Sequence, residues 1–199
     1  MSYFEEELYK KGYHCIAGVD EAGRGPLAGP VVAAACILPK GFLLEGVDDS
    51  KKLDEAERET LYQKILSYKE ISFSIGVVDS GVIDKINILK ATFLAMQQAV
   101  ATLTIKPDHI LVDGNQIPPF QNISATGIVM GDSRSITIAT ASIIAKVTRD
   151  RMMIAFDAEY PGYGFPKHKG YATKEHRLAI QKLGFSPIHR KTFNFGSRA

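Results

Sequence analysis

Residues 16–30 join an apolar strand pattern to two adjacent carboxylates and then to a segment dense in glycine and proline. The strand pattern ends at Val19, and Asp20 and Glu21 follow directly. Carboxylates are seldom buried without partners, so this pair calls for an explanation. The glycines that follow let the backbone turn sharply and approach other groups closely. Alone, such a segment is typical of a tight turn between two strands, with the acids solvated at its edge.

The charge of the chain is small overall but unevenly spread. The 199 residues carry a formal net charge of +2. From residue 146 onward there are 11 Lys and Arg against 4 Asp and Glu, whereas the preceding residues hold 13 against 18. A basic C-terminal quarter predicts a surface that faces a polyanion. Cys15 and Cys36 lack metal-ligand spacing, no apolar run is long enough for a membrane span, and residues 1–12 do not resemble a secretory signal. We therefore expect a cytoplasmic protein without membrane contact.

Hydrophobic periodicity and turn residues predict an α/β fold. The predicted strands cover residues 14–19, 31–38, 71–78, 109–114 and 123–130. The predicted helices cover residues 4–11, 55–68, 83–103, 135–160 and 174–183. The first two strands are joined by a connection suited to an antiparallel pair. Three early strands followed by alternating helix and strand predict a mixed five-stranded sheet flanked by helices.

The longest apolar periodicity runs over residues 83–103 and predicts one continuous helix. Its apolar residues recur at spacings of three and four: Ile86, Leu89, Phe93, Met96, Val100 and Leu103. We interpret this stripe as a face packed against the core rather than as a cofactor site.

Carboxylates follow three of the predicted strands: Asp20 with Glu21, Asp113, and Asp132. Ligand sites in open α/β sheets gather at strand ends. If these ends are neighbours, the acids repel one another, and a pKa rises unless a cation neutralises them. Oxygen donors without His or Cys suit Mg²⁺ or Mn²⁺, and such a cluster can hold two ions about 3.5–4 Å apart. Singly, Asp113 and Asp132 are ordinary turn residues; together with the first pair they predict a metal site.

Several separated segments resemble the ribonuclease HII family, in the order in which that family has them. They are GVDEAGRGPLAGPV (18–31), DSKKL (49–53), LVDG (111–114), GDS (131–133), ASIIAKVTRD (141–150), GYGF (162–165) and HKGY (168–171). The resemblance covers roughly residues 14–192. It implies an RNase H-like catalytic core over residues 1–160. Residues 161–199 are then a basic C-terminal helical extension that packs on the core without forming an independent domain.

The resemblance also implies an activity. The family cuts the RNA strand of RNA–DNA duplexes and incises 5′ to a single ribonucleotide embedded in duplex DNA, leaving 5′-phosphate and 3′-hydroxyl ends. By the match, Asp20, Glu21, Asp113 and Asp132 are catalytic and bind two ions, Mg²⁺ or Mn²⁺. In the mechanism that the resemblance suggests, one ion would be held by Asp20 and Asp132 beside the attacking water. The other would be held by Asp20, Glu21 and Asp113 beside the leaving 3′ oxygen, although the sequence does not itself assign each acid to an ion.

Two other sets of side chains compete for catalytic roles. Asp150 is a rival acid, but it lies within a predicted helix between Arg149 and Arg151, and we interpret it as charge-paired there. The general-base candidates are three histidines, His168, His176 and His189. Two metal ions can activate the water without a protein base, so the histidines are left out of the catalytic set.

The same resemblance implies a set of substrate-binding residues. Gly23, Arg24 and Gly25 match the family's ribonucleotide sensor, because glycines let the backbone approach a ribose 2′-hydroxyl. Arg24 has paired donors for a phosphate, and Tyr171 matches the tyrosine that engages the ribose at the RNA–DNA junction. Candidate phosphate contacts are four lysines, Lys51, Lys52, Lys146 and Lys169. Each lysine alone is typical of a solvated charge.

Three alternatives stay open at this point. A ribonuclease HIII-like enzyme shares the fold but normally has an additional N-terminal domain and lacks the Gly-Arg-Gly sensor. A non-catalytic nucleic-acid-binding module would need no metal and would tolerate Asp113→Asn. A nucleotide-binding protein would use the glycines as a phosphate cradle, but neither GxGxxG nor GxxxxGK spacing is present. We favour a monomeric ribonuclease HII acting on RNA–DNA hybrids and ribonucleotide-containing duplex DNA, and the sequence identifies no protein partner.

Overall fold

The computed structural model describes residues 1–47 and 53–193. Its strands are β1 (Ile16–Ala22), β2 (Val31–Ile37), β3 (Ser72–Val78), β4 (His109–Asp113) and β5 (Ser124–Ile128). Its helices are α1 (Tyr3–Lys10), α2 (Glu55–Ser67), α3 (Ser80–Ile86), α4 (Ile88–Ala101), α5 (Ile136–Glu159), α6 (Phe165–His168) and α7 (Lys174–Leu183). None of the helices described here is both long and apolar enough to cross a membrane.

The strands form one mixed sheet in the order β3-β2-β1-β4-β5. The β3–β2 and β2–β1 pairs are antiparallel, and the β1–β4 and β4–β5 pairs are parallel. One face of the sheet packs against α3 and α4, and the opposite face packs against α2 and α5. The predicted mixed five-stranded sheet flanked by helices is therefore confirmed. Parallel pairing brings the C-terminal ends of β1, β4 and β5 to the same edge.

Helix α5 lies directly on the central strand. A Cβ atom at Gly18 of β1 would lie only 2.2 Å from the carbonyl carbon of Thr137, so the helix backbone touches the strand there. The N-terminal end of α5 is held by Glu5, a buried carboxylate of α1. It accepts hydrogen bonds from the Ser135 hydroxyl at 2.6 Å and the Thr137 amide at 3.1 Å. These contacts set how far α5 extends along β1, and hence which of its side chains reach the strand's acidic end.

The prediction of one continuous helix over residues 83–103 is wrong. Asn87 has a φ of 69° and separates α3 from α4. Its side chain accepts the Lys90 amide at 3.1 Å and so caps α4, a role that suits asparagine because it tolerates left-handed geometry. Helix α3 begins earlier than predicted, at Ser80, with Asp79 as its N-cap. The apolar periodicity in the sequence therefore continues through a position where the helix is interrupted.

The buried stripe of α4 also differs from the predicted one. The residues closest to the sheet include Ala91, Ala95 and Ala99, and a Cβ at Gly76 of β3 would lie 2.0 Å from the Ala95 carbonyl oxygen. Met96, Val100 and Leu103 are buried as predicted, whereas three larger residues, Ile86, Leu89 and Phe93, are only half-buried. Small residues occupy the positions of α4 that face the sheet because they let the helix and strand backbones approach closely. The other predicted elements are confirmed to within three residues at each end, and α6 is an additional short helix.

The C-terminal segment packs on the loop that follows β1. Leu27 and Ala28 of that loop form an apolar cluster with Met153 of α5, Phe165 of α6 and Ile180 of α7. Backbone hydrogen bonds reinforce the contact: the Leu27 amide donates to Gly170 and the Gly29 amide to Ile188, both at 2.8 Å. The loop that carries residues 23–25 is therefore held in place by packing and hydrogen bonds to the C-terminal segment.

Candidate active site

The acidic residues gather at the edge where the parallel strands end. Val19 of β1 pairs with Val112 of β4, so Asp20 and Asp113 follow in adjacent strands at the same level. Asp20 is buried, with 6% of its surface exposed. The Asp113 Oδ1 accepts the Gly131 amide at 2.6 Å, which ties it to a short 3₁₀ turn, residues 131–133. Buried Asp132 lies in that turn, four residues beyond the end of β5 rather than at the strand end itself.

Three of the acids influence one another electrostatically. Burial raises the pKa of Asp20 well above its usual range, and the charges of Glu21 and Asp113 raise it further. Hydrogen bonds from the Ser142 hydroxyl and the Glu21 amide oppose this increase. Burial likewise raises the pKa of Glu21, against the neighbouring Arg24 guanidinium, whose Nη1 lies 3.2 Å from Glu21 Oε1. A divalent cation would offset both the burial of these carboxylates and the repulsion among them.

The donor chemistry of the site fits a hard divalent cation. Asp20, Glu21 and Asp113 offer only carboxylate oxygens, the ligands preferred by Mg²⁺ and Mn²⁺. Within residues 1–47 and 53–193, no three His, Cys, Asp or Glu side chains are already grouped as a metal-ligand set. Burial is the main reason that the pKa values of Asp20 and Glu21 are raised, and the charge of Asp113 adds to the rise at both residues.

A groove of about 360 Å³ adjoins the acids. Its lining includes Glu21, the loop residues 23–25, Ser142 and the exposed ring of Tyr171. Arg58 of α2 and Lys146 of α5 line the same groove. Cationic side chains, a backbone loop and an aromatic ring beside a carboxylate cluster suit a phosphodiester chain, since phosphates pair with the cations and a base or sugar packs on the ring.

Comparison with known proteins decides the family. The sequence model described as Ribonuclease HII matches residues 17–195, about nine-tenths of the chain. The chain belongs to the ribonuclease HII family. Ribonuclease HII of Geobacter sulfurreducens is 57% identical over 190 residues, which cover 96% of this chain and 87% of the relative. Ribonuclease HII of Syntrophus aciditrophicus is 54% identical over 198 residues, covering 99% and 92%.

Solved structures agree with this membership. The crystal structure of ribonuclease H2 from Pyrococcus horikoshii OT3 is 29% identical, with a TM-score of 0.75 over 91% of this chain and 94% of that chain. Bst-RNase HIII in complex with Mn²⁺ is 18% identical, with a TM-score of 0.68 over 91% of this chain and 67% of that one, which shows the shared fold. As a ribonuclease HII, the protein is a metal-dependent ribonuclease H, an endonuclease that acts on RNA–DNA hybrids.

The predicted lysines of this ribonuclease HII have different surroundings. Lys146 lines the groove, and its Nζ lies 2.6 Å from Asp150 Oδ1. Lys169 does not line the groove; its largely buried ammonium lies 3.0 Å from Glu55 Oε1 and donates to the Pro166 carbonyl. Two further lysines lie outside the described residues, Lys51 and Lys52.

Asp150 is charge-paired within its helix, as predicted, but with a different partner. Its carboxylate contacts Lys146, one turn earlier in α5, rather than either adjacent arginine. Arg151 instead contacts Glu59 of α2, and Arg149 donates to main-chain carbonyls. The helix therefore directs its two arginines to other elements and leaves the lysine to neutralise the acid.

Arg58 was missed by the sequence analysis. It lies in the first turn of α2, just after the DSKKL motif, and its Nη2 donates to the Leu53 carbonyl at 2.7 Å. The guanidinium thus links the end of that motif to the groove. A basic residue following a motif of candidate phosphate contacts is the only sequence signal that could have suggested it.

Two buried arginines, Arg149 and Arg190, hold the loop after β1, and the sequence analysis assigned neither to the site. Each is 1% exposed, and neither forms an ion pair with a carboxylate in the described part of the chain. Arg149 donates to the carbonyls of Pro30, Lys169 and Ala28, each at 3.0 Å. Burial, together with the charge of Arg149, lowers the pKa of Arg190 to about 9, so Arg190 remains a cation at neutral pH.

Gly23 is required where the loop meets Arg149. Its φ is 97°, in the region that favours glycine, and a Cβ there would lie 2.1 Å from the Arg149 Nε. Any side chain at this position would displace the guanidinium from its carbonyl partners. The first glycine of the Gly-Arg-Gly segment is therefore explained by packing beneath the loop as well as by access to the groove above it.

A chain of buried histidines supports Tyr171. The Ser186 amide donates to His189 Nδ1 at 2.9 Å, so the ring's proton lies on Nε2, which is 3.0 Å from His176 Nε2. That leaves His176 Nδ1 to donate to the Tyr171 carbonyl at 2.9 Å. Each neutral tautomer is thus dictated by its neighbours. His176 and His189 are therefore both engaged in hydrogen bonds that support the backbone at Tyr171.

Low pH is expected to destabilise the protein by protonating these hydrogen-bonded histidines. Burial lowers the pKa of His189 from 6.5 to about 4, and burial also lowers the pKa of His176. The unfolded state therefore binds protons more readily, so stability present above about pH 6.5 is lost as the pH falls towards about 4. Thermal unfolding of His189→Asn should show a smaller loss of Tm between pH about 7 and about 5 than the parent, although its stability at neutral pH is lower.

Exposed His14 provides the matched control for this measurement. His14→Asn removes a histidine that lies on the surface, so its Tm should follow the parent's pH profile. If His189→Asn kept the parent's full loss of Tm in acid, titration of the buried chain would be ruled out as its cause.

Proposed function

We propose that this ribonuclease HII incises duplex DNA 5′ to a single embedded ribonucleotide, as well as cutting the RNA strand of hybrids, by a two-metal-ion reaction that leaves 5′-phosphate and 3′-hydroxyl ends. The observation that carries the proposal is the adjacency of two features. Glu21, whose charge acts on Asp20 and which is itself influenced by Asp113, lines a groove together with residues 23–25 and Tyr171. A ribose held by the loop and the ring would lie next to the acids.

The acids are proposed to work as two overlapping sets. Asp20 and Asp132 hold one ion, and Asp20, Glu21 and Asp113 hold the other. When bound, two divalent ions such as Mg²⁺ or Mn²⁺ stabilise charge on the attacking and leaving oxygens of the phosphodiester. The protein's own contribution is orientation. The Ser142 hydroxyl and the Glu21 amide fix Asp20, and the Gly131 amide fixes Asp113.

Substrate recognition is assigned to the groove. Backbone groups of Gly23, Arg24 and Gly25 lie along it without side-chain obstruction at the two glycines, as contact with a 2′-hydroxyl requires. We call residues 23–30 the recognition loop. Arg24 joins this loop to the acids through its ion pair with Glu21. Lys146 and Arg58 are the proposed phosphate contacts. The 2′-hydroxyl is recognised but is not the nucleophile.

Cleavage of defined duplexes tests this function. With Mg²⁺ or Mn²⁺, the protein should cut a DNA duplex containing one ribonucleotide on its 5′ side, and it should leave an all-DNA duplex intact. Asp113→Asn should reduce that cutting by about a thousandfold. Asp79→Asn is the matched control, because asparagine caps α3 as well as aspartate does and the residue lies outside the site.

The outcomes separate the proposal from its alternatives. Cutting of a longer RNA–DNA hybrid but not of the single-ribonucleotide duplex would restrict the activity to the broader ribonuclease H class and refute the sensor assignment. Binding of both duplexes without cutting, with either metal and equally in Asp113→Asn, would establish a non-catalytic nucleic-acid-binding module instead.

A further inference from the structure

Arg190 binds the recognition loop entirely through backbone carbonyls. Its Nη2 donates to Gly23 at 2.6 Å and to Pro30 at 3.2 Å, its Nη1 to Arg24 at 3.0 Å, and its Nε to Gly29 at 3.0 Å. Four of the five guanidinium N–H donors are thus directed at one loop. The side chain is 1% exposed and does not line the groove, whereas residues 23–25 of the loop that it holds do line it.

These bonds determine which way two peptide planes face. The described chain contains no cis peptide bond, and in a trans peptide the C=O and N–H groups point in opposite directions. Because the Gly23 and Arg24 carbonyls point at Arg190, the amides that share their peptide planes, those of Arg24 and Gly25, point away from it. Neither amide donates to an acceptor elsewhere in residues 1–47 and 53–193. Within the described part of the chain, these two backbone donors are therefore open to a ligand.

We propose that Arg190 is a positioning residue that orients the Arg24 and Gly25 amides towards the groove, where they donate to the oxygen of a ribose 2′-hydroxyl. This inference rests on the proposed function and adds the device that makes the sensor rigid before substrate arrives. Unbound loops lose entropy when they bind, so a loop already held in its binding geometry loses less.

Arginine is suited to this position in a way that lysine is not. A planar guanidinium with donors in a fixed fork can satisfy carbonyls on several sides, whereas an ammonium has three donors around a single nitrogen. Arg149 shares the Pro30 carbonyl with Arg190, so the two cations support the loop together. Lysine at position 190 would keep the charge and much of the volume but could not hold both the Gly23 and the Arg24 carbonyl in the same orientation.

The decisive measurement compares Arg190→Lys with the parent on two duplexes. In Mg²⁺, kcat/KM for the single-ribonucleotide duplex should fall about tenfold or more, while the inhibition constant of an all-DNA duplex, which depends on phosphate contacts, changes by less than about twofold. Arg177→Lys on the exposed side of α7 is the matched control and should alter neither value. The inference would be overturned if Arg190→Lys weakened the binding of the all-DNA duplex as much as it lowered kcat/KM for the single-ribonucleotide duplex. It would also be overturned if neither value changed. Failure of the parent to cut would instead refute the proposed function.

A second measurement needs no variant and decides the matter if Arg190→Lys does not fold. In the unmodified protein with EDTA, ¹H–¹⁵N spectra should show the Arg24 and Gly25 amide protons exchanging rapidly with solvent. Adding the single-ribonucleotide duplex should slow that exchange, and adding the all-DNA duplex should not. Amides that are already protected in the free protein, or that are protected equally by both duplexes, would show that Arg190 does not direct them at a ribose.

Discussion

Asp20→Asn is expected to abolish cleavage and, at the same time, to stabilise the metal-free protein. Activity should fall by about a thousandfold or more, because Asp20 is the carboxylate proposed to serve both metal ions. Stability should rise because Asp20 is buried beside Glu21 and Asp113, and its own burial and the charges of these neighbours raise its pKa. Asparagine is nearly the same shape, and its amide oxygen can accept the Glu21 N–H bond without bringing in a charge.

The size and pH dependence of this gain follow from linkage. A raised pKa means that the folded state prefers the protonated carboxyl, so ionisation destabilises the fold by about 1.4 kcal/mol for every tenfold difference in proton affinity between the folded and unfolded states. The advantage of asparagine should therefore be largest above the raised pKa and shrink as the pH falls through it. For a chain of this length, each kcal/mol corresponds to roughly 2–4 °C in Tm, which scanning calorimetry in EDTA resolves.

Adding metal should make the parent protein more stable than Asp20→Asn, the reverse of the order expected in EDTA. Mn²⁺ or Mg²⁺ binds the folded state and should raise the Tm of the parent, whereas Asp20→Asn should respond much less because a proposed ligand of both ions is gone. Asp79→Asn should behave like the parent in its activity, its Tm in EDTA and its response to metal, since Asp79 caps α3 and is not one of the clustered acids. If Asp20→Asn lost stability in EDTA, repulsion among the acids would be excluded as a significant feature of the site.

Tyr171→Ala is expected to lower kcat/KM for the single-ribonucleotide duplex by about 10- to 100-fold. The ring is 44% exposed and lines the groove, and a Cβ added at Gly25 would lie 3.8 Å from its Cε1 atom. A sugar or base lying against the Gly25 backbone therefore meets the ring edge as well. Loss of an aromatic platform for one nucleotide costs about 1–3 kcal/mol, which corresponds to the expected decrease in rate.

Two companion variants show which part of the tyrosine matters. Tyr171→Phe keeps the ring and should retain most of the activity if packing is the larger contribution, whereas an effect equal to that of Tyr171→Ala would assign the role to the hydroxyl. Tyr3→Ala removes a 66% exposed tyrosine from α1 and should leave kcat/KM unchanged. Equal activity of Tyr171→Ala and the parent on this duplex would remove the residue from the recognition site.

The fold was accessible from sequence because its elements differ in periodicity and end at identifiable residues. Short apolar runs marked the five strands, and the capping residues Asp54 and Thr173 marked helix starts that the structure confirms. The break at Asn87 was missed because apolar spacing continues through it. A side chain that both interrupts one helix and caps the next changes the backbone without changing the hydrophobic pattern.

The sequence by itself determined the parts of the site that are contiguous in the chain. Adjacent acids at a strand end, glycines beside them and further acids after parallel strands are local patterns with a local cause. Their proposed roles remain to be tested by the variants above.

Only the tertiary structure decided what supports these parts. Arg190 meets Gly23 across 167 positions, and Arg149 meets Pro30 across 119. Lys169, from a segment that matches the family, pairs with Glu55 and lies outside the groove, whereas Arg58, from no recognised motif, lines it. Backbone carbonyls carry no sequence signature, so an arginine that binds them looks like any other basic residue until the chain has folded.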